Sequence, residues 1–182
     1  MKDESALLKA AVSLDQDALA TIFDEYAPAI YKYLLRLGAG PQEADQITGD
    51  VFGRILEKFS EGKGPRKNLR SYLFQTAYHL LVDDSRVRQR TAILDVADTV
   101  TQESTPVQSK TEEKLLLEKL AKIMKRELTE EQRTVIVLRF QEEFSLKETA
   151  EIVGKNVNAV KALQNRGINR LREAMSRENG GE

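Results

Sequence analysis

The chain has 182 residues, 41% hydrophobic and 31% charged, a balance that fits one helical domain or two small ones. With no Cys and a single His, His79, it excludes disulfides, thiolate or His-cluster metal sites and most acid–base catalysis, so neither an enzyme nor a bound cofactor is expected. Its formal net charge of −1 is unevenly spread: residues 1–53 carry four basic residues against nine acids, residues 54–90 nine against four, and residues 155–177 six against one.

The opening stretch MKDESALLKAAVSLDQD has acids where a signal peptide needs basic residues before an apolar core, and no apolar run could cross a bilayer. A cytoplasmic chain without membrane attachment is expected. A first folded unit is expected over residues 13–90. Asp15 or Asp17 can cap a helix carrying Ile22, Phe23 and Tyr26, and Pro28 predicts a kink or a fresh helix start. Tyr31, Leu34, Leu35 and Leu37 continue the apolar face until Gly38-Ala39-Gly40. Pro41 suits a first helical position, and Ala44, Ile47, Val51, Ile55 and Phe59 follow at helical spacing. A Gly-, Pro- and Lys-rich loop spans Ser60 to Asn68. Beyond it a fourth helix turns Leu69, Tyr72, Leu73, Ala77 and Leu80 inward and ends in Arg86, Arg88 and Arg90. Tyr72, Phe74 and Tyr78 read as packing residues.

Residues 91–110 mix Thr, Ser, Asp, Gln and Pro without period and read as a flexible linker. A second helical unit is expected over residues 111–178. Within it Ser145 and Glu148 form an S-x-x-E capping box, so a helix should start at Leu146, with Leu146, Ala150 and Val153 on one apolar stripe. Gly154 ends that helix and another begins near Val157, with Val157, Val160, Ile168, Leu171 and Met175 inward. Lys155, Asn156, Asn158, Lys161, Asn165, Arg166 and Asn169 are left outside. Asn and Arg can pair bidentately with adenine and guanine edges, while Lys and Arg neutralise phosphates, so this helix reads as a major-groove reader. Exposed charge acts over roughly 10 Å, so each basic block can hold a polyanion whatever the global sum. The fold class is all-α: two small helical domains on a linker, the second ending in a helix-turn-helix.

The chain resembles the extracytoplasmic-function sigma factors, small bacterial RNA polymerase subunits. Their acidic helix motif D-x-x-Q-[DE]-V/T-F is matched by Asp45, Gln46, Ile47, Thr48, Gly49, Asp50, Val51 and Phe52, with Gly49 where Gln is usual. Their F-R-x-W-L-Y stretch is matched by Leu69-Arg70-Ser71-Tyr72-Leu73-Phe74, followed by Ala77, His79, Asp83 and Arg86; Tyr72 stands for the usual Trp and His79 for the usual Asn. The A-x-x-x-G-x-S-x-x-x-V-K pattern is matched by Ala150, Gly154, Asn156, Val160 and Lys161.

The resemblance implies a sigma region 2-like domain and a region 4-like domain. Asp45, Gln46, Asp50, Arg54 and Glu57 would face the β′ coiled coil of core RNA polymerase, and the β flap would be a second contact. Lys63, Arg66, Lys67, Asn68, His79, Asp83, Arg86 and Arg88 would bind the promoter −10 element. Lys155, Asn156, Asn158, Ala159, Lys161, Ala162, Asn165 and Arg166 would bind the −35 element. An anti-sigma protein is the partner through which this family is often regulated. Two other readings stand beside it. A stand-alone helix-turn-helix regulator dimerising on a palindrome would explain the C-terminal unit only. A metal-dependent hydrolase using Asp45, Asp50 and Glu57 would need facing carboxylates from other helices, and no second acidic set has helical spacing.

Overall fold

The computed structural model describes residues 4–92 and 112–179, with side chains over 4–83 and 119–177. Every described element is helical. The first unit holds α1 (Glu4–Val12), α2 (Gln16–Leu37), α3 (Pro41–Ser60) and α4 (Leu69–Ala92); the second holds α5 (Glu112–Glu127), α6 (Glu130–Ile136), α7 (Leu146–Val153) and α8 (Val157–Asn179). The expected linker falls almost wholly outside the described residues.

Local chemistry sets the boundaries. The Asp15 carboxylate accepts from Ala18 N at 2.9 Å and opens α2, Pro41 is the first residue of α3, and Gly38 closes α2. Ser145 and Glu148 exchange hydrogen bonds at the start of α7, and Thr129 and Gln132 do the same for α6, a T-x-x-Q signal equally legible in the sequence. After Ile136 the α6 backbone widens into one π-helical turn, Val137–Gln141, which re-aims the chain towards Phe144.

Three expectations are corrected. The segment before Ser13 is a helix, α1, whose Leu8 and Ala11 are buried and whose Glu4 accepts from Leu69 N at 2.9 Å. Pro28 starts no new helix, since α2 runs through it with Ile22, Ala27, Ile30, Tyr33 and Leu34 buried on both sides. That packing outweighs the one intrahelical bond that Pro removes. Met175 is exposed, and Ala174 takes the inward place, continuing the stripe Val160, Leu163, Gly167. Gly167 is small for a reason: a Cβ there would lie 3.1 Å from Ile136 Cγ1, so α8 crosses α6 at close range.

The core is continuous across both units. Tyr33, Phe74 and Phe144 form a run of rings, with centroids 5.0 Å apart for the first pair and 5.1 Å for the second. Helix α7 lies on α4, and α6 with its π-turn meets α2.

Candidate nucleic-acid interface

Helix α3 divides cleanly. Ala44, Ile47, Val51, Ile55 and Phe59 are buried, while Asp45, Gln46, Asp50, Arg54 and Glu57 are all exposed on the outer side. A Cβ added at Gly49 or Gly53 would meet nothing within 4 Å. The Gly49 departure therefore leaves an open notch on this face rather than a packing defect, at a helix-propensity cost of ~1 kcal/mol relative to Ala. Beside it Phe23 and Phe52 pack edge to face with centroids 4.8 Å apart, and Phe23 remains half exposed.

The loop after α3 is shaped by one close approach. A Cβ at Gly64 would lie 2.1 Å from Phe59 Cδ1, so the backbone presses on that ring and no larger residue fits. Asn68 holds a φ of 54°, a left-handed geometry that Asn tolerates better than most residues, directly before α4. Lys63, Arg66, Lys67 and Asn68 are all exposed. Lys63 shares Glu61 with Lys58, at 3.2 and 3.8 Å, so part of the loop charge is locally balanced. His79 and Asp83 are exposed further along α4, whereas the side chains of Arg86, Arg88 and Arg90 lie outside the described residues. Phe74 is buried and Tyr72 and Tyr78 are half-buried, in keeping with packing roles.

On α8 the positions Asn158, Lys161, Ala162, Asn165 and Arg166 repeat at i, i+3, i+4, i+7 and i+8, and all are exposed. Arg166 Nε donates to the Ala162 carbonyl at 3.2 Å, which fixes the guanidinium along the stripe. Ala159 is half-buried at its edge. Two residues at the helix start are already engaged. Asn156 Oδ1 accepts from Ala159 N at 2.8 Å and caps the helix, while Lys155 pairs with Glu131 at 2.8 Å. The hydrogen bond to Glu131 holds the Lys155 ammonium above the usual lysine range. Gly154, at φ 65°, closes α7 and sets the turn between the two helices.

The family models for Sigma-70 region 2 and Sigma-70, region 4 match residues 22–91 and 126–173. The ECF RNA polymerase sigma factor SigW of Bacillus subtilis is 31% identical over 176 residues, covering 88% of this chain and 90% of SigW. The chain belongs to the extracytoplasmic-function sigma factors. It is 27% identical over 172 residues to the ECF RNA polymerase sigma factor BldN of Streptomyces coelicolor, covering 91% of this chain but only 63% of BldN's length. Two solved structures share the fold. CnrH in complex with the cytosolic domain of CnrY has a TM-score of 0.70 at 20% identity, covering 94% of this chain and 96% of that one. The sigma factor RpoE in complex with the anti-sigma factor NepR from Bartonella quintana has a TM-score of 0.72 at 23% identity, covering 86% and 96%. The region 2 match includes the block from Ala44 to Arg90, which a stand-alone helix-turn-helix regulator would leave without a role.

What the sequence did not reveal is where two basic residues go. Arg36 and Arg70 both turn towards Glu142 of the other unit, at 2.6 and 3.3 Å. No local pattern marks such a pair, because its partners lie 106 and 72 residues apart.

Proposed function

We propose that this sigma factor binds core RNA polymerase through the exposed face of α3, lays the Asn158–Arg166 stripe of α8 in the major groove of the −35 element, and captures a −10 base with the 63–68 loop and the start of α4. The work is divided between residues 13–90 and 111–178, joined by residues 91–110. The observation that carries this reading is the α8 stripe, where Asn, Lys and Arg at helical spacing face away from the buried Val160, Leu163, Gly167 and Ala174 in and beside the region 4 match. Capture of a base needs a pocket and cations along the backbone, and the loop offers Lys63, Arg66 and Lys67 beside Asn68. The chain supplies binding and positioning, and chemistry belongs to the polymerase. Among the described residues no helix is long and apolar enough to cross a membrane, which fits action in the cytoplasm. CnrH and the Bartonella RpoE are each held by a second protein, and an anti-sigma protein is proposed as a partner here by similarity.

Size-exclusion chromatography with and without purified core polymerase tests the assembly. A monomer that joins core polymerase one to one fits the reading. A free dimer that ignores polymerase and binds a palindrome contradicts it.

A further inference from the structure

We propose that Glu4 is a positioning residue for −10 reading: its carboxylate caps helix α4 across the fold, a task that would otherwise occupy Asn68, and so leaves the Asn68 amide free for a base. The inference rests on the assignment of the 63–68 loop above. Other helices of this chain open on the side chain just ahead of them. Asp15, Thr129 and Ser145 hold extended backbone, with φ of −64°, −66° and −63°, and each accepts from the N–H three residues on. Asn156 serves α8 in the same way. Asn68 has the position and the side chain for this work, since its carbonyl already accepts from Tyr72 N at 3.1 Å. Its amide does not cap. The φ of Asn68 is 54°, left-handed rather than extended, and its exposed amide makes no hydrogen bond among the described residues.

The helix end is served from 65 residues away instead. Glu4 Oε1 accepts from Leu69 N at 2.9 Å, and Leu69 is fully buried, so this carboxylate satisfies a donor that the first turn leaves open. Glu4, Leu8 and Ala11 stand at i, i+4 and i+7 on one stripe of α1. Burial of Leu8 and Ala11 seats the carboxylate at the start of α4. A negative charge there also faces the positive end of a 24-residue helix. The other end of the loop is anchored too. Lys63 N donates to the Lys58 carbonyl at 2.8 Å, and the Gly64 backbone presses on Phe59. Between these anchors Asn68 lines a cleft with Lys67, Tyr72 and Gln75.

The carboxylate thereby sets what Asn68 can do. Without it Leu69 N loses its acceptor, and the favoured state of an Asn ahead of a helix is the extended one, its amide oxygen on the N–H of Ser71. An amide committed in that way no longer offers both donor and acceptor to a base edge. For the −10 element, loss of Glu4 is then equivalent to loss of the Asn68 amide. The outer face of α3 and the α8 stripe are untouched.

Run-off transcription by the full chain with core polymerase, on a library randomised across the −10 element, tests this with Glu4→Ala, Glu4→Gln, Asn68→Ala and the double variant Glu4→Ala with Asn68→Ala. Glu4→Ala should reduce discrimination at the captured base about fivefold or more, as Asn68→Ala does, while affinity for core polymerase and for a −35 duplex stays native. The double variant should be no worse than either single one, because both remove the same interaction. Glu4→Gln keeps an acceptor oxygen and should restore most of the discrimination. Amide hydrogen exchange at Leu69 reads the cap itself, and Glu4→Ala should speed it on the order of tenfold. Native discrimination in Glu4→Ala, losses that multiply in the double variant, failure of Glu4→Gln to rescue, or an unchanged Leu69 exchange rate each overturns the proposal. If Glu4→Ala loses helicity, Glu4→Leu, of similar length and without an acceptor, is scored in its place. If Asn68→Ala itself leaves the −10 preference native, the loop is not the reader and the proposal falls with that reading. If Asn68→Ala relaxes the preference and Glu4→Ala does not, the proposal alone is overturned.

Discussion

Phe74 and Phe144, one from each helical unit, meet edge to face with ring centroids 5.1 Å apart. Both are almost fully buried, so this pair lies in the core rather than on a sliding surface. Deleting a buried Phe side chain costs about 3–5 kcal/mol through lost transfer energy and the cavity left behind. Phe144→Ala should lower stability in urea by about that amount and separate the unfolding of the two units, which the native chain should show as one transition. A loss below ~1 kcal/mol would mean that the rings contribute little to joining the units.

Asp50 is exposed on α3 opposite Val51 and Ile47, which are buried. Asp50→Lys reverses a charge without touching the core, so helicity should stay near that of the native chain. Affinity for core polymerase, measured by fluorescence anisotropy, should fall by roughly 1–3 kcal/mol if the charge meets a cation across the interface. Unchanged affinity takes Asp50 out of that interface.

Lys161 and Arg166 sit on one stripe of α8, five residues apart and so roughly 7.5 Å along the axis at ~1.5 Å per residue. An alanine at a phosphate contact should weaken every duplex alike and reduce the salt slope by about 1. An alanine at a base contact should cost about 1–3 kcal/mol on the cognate −35 site alone. Titrations on cognate and scrambled duplexes at several salt concentrations separate the two. If both variants bind as the native chain does, α8 is not the reader.

Glu148 titrates below the usual carboxylate range, chiefly because the Ser145 hydroxyl and then the Ser145 backbone N–H hydrogen-bond to it, with Arg70 and Arg139 adding smaller attraction. A carboxyl whose folded pKa is depressed adds stability above its unfolded value, ~4.3, and that contribution is lost as pH falls through the folded value. Ser145→Ala should cost about 1 kcal/mol at neutral pH. The variant should also lose less stability than the native chain between about pH 5 and pH 3. Parallel stability–pH curves would show that the capping box does not act through this proton.

Much of this architecture is legible locally. Asp15, Pro41, Ser145, Glu148 and Gly154 mark helix ends because caps and turns are short-range chemistry, and all five stand where the spacing predicts. The exposed α3 face and the α8 stripe follow from helical period alone. What the sequence hides is tertiary. Helix α1 is held by Leu8, Ala11 and a bond from Leu69 N to Glu4, contacts made with residues far along the chain. The fresh helix start that Pro28 allowed does not occur, because packing from other helices carries α2 through it. Met175 and Ala174 are adjacent, and only the close crossing at Gly167 decides which turns inward. The Arg36–Glu142–Arg70 cluster has no sequence signature at all.

The central claim is that one chain reads two separated promoter elements for the polymerase. Run-off transcription with purified core polymerase on a library randomised across both elements tests it most directly. The account predicts enrichment of two motifs at one fixed spacing, with Asn68→Ala relaxing the −10 motif more than it lowers polymerase binding. A single palindromic motif, or no enrichment over core polymerase alone, would contradict it.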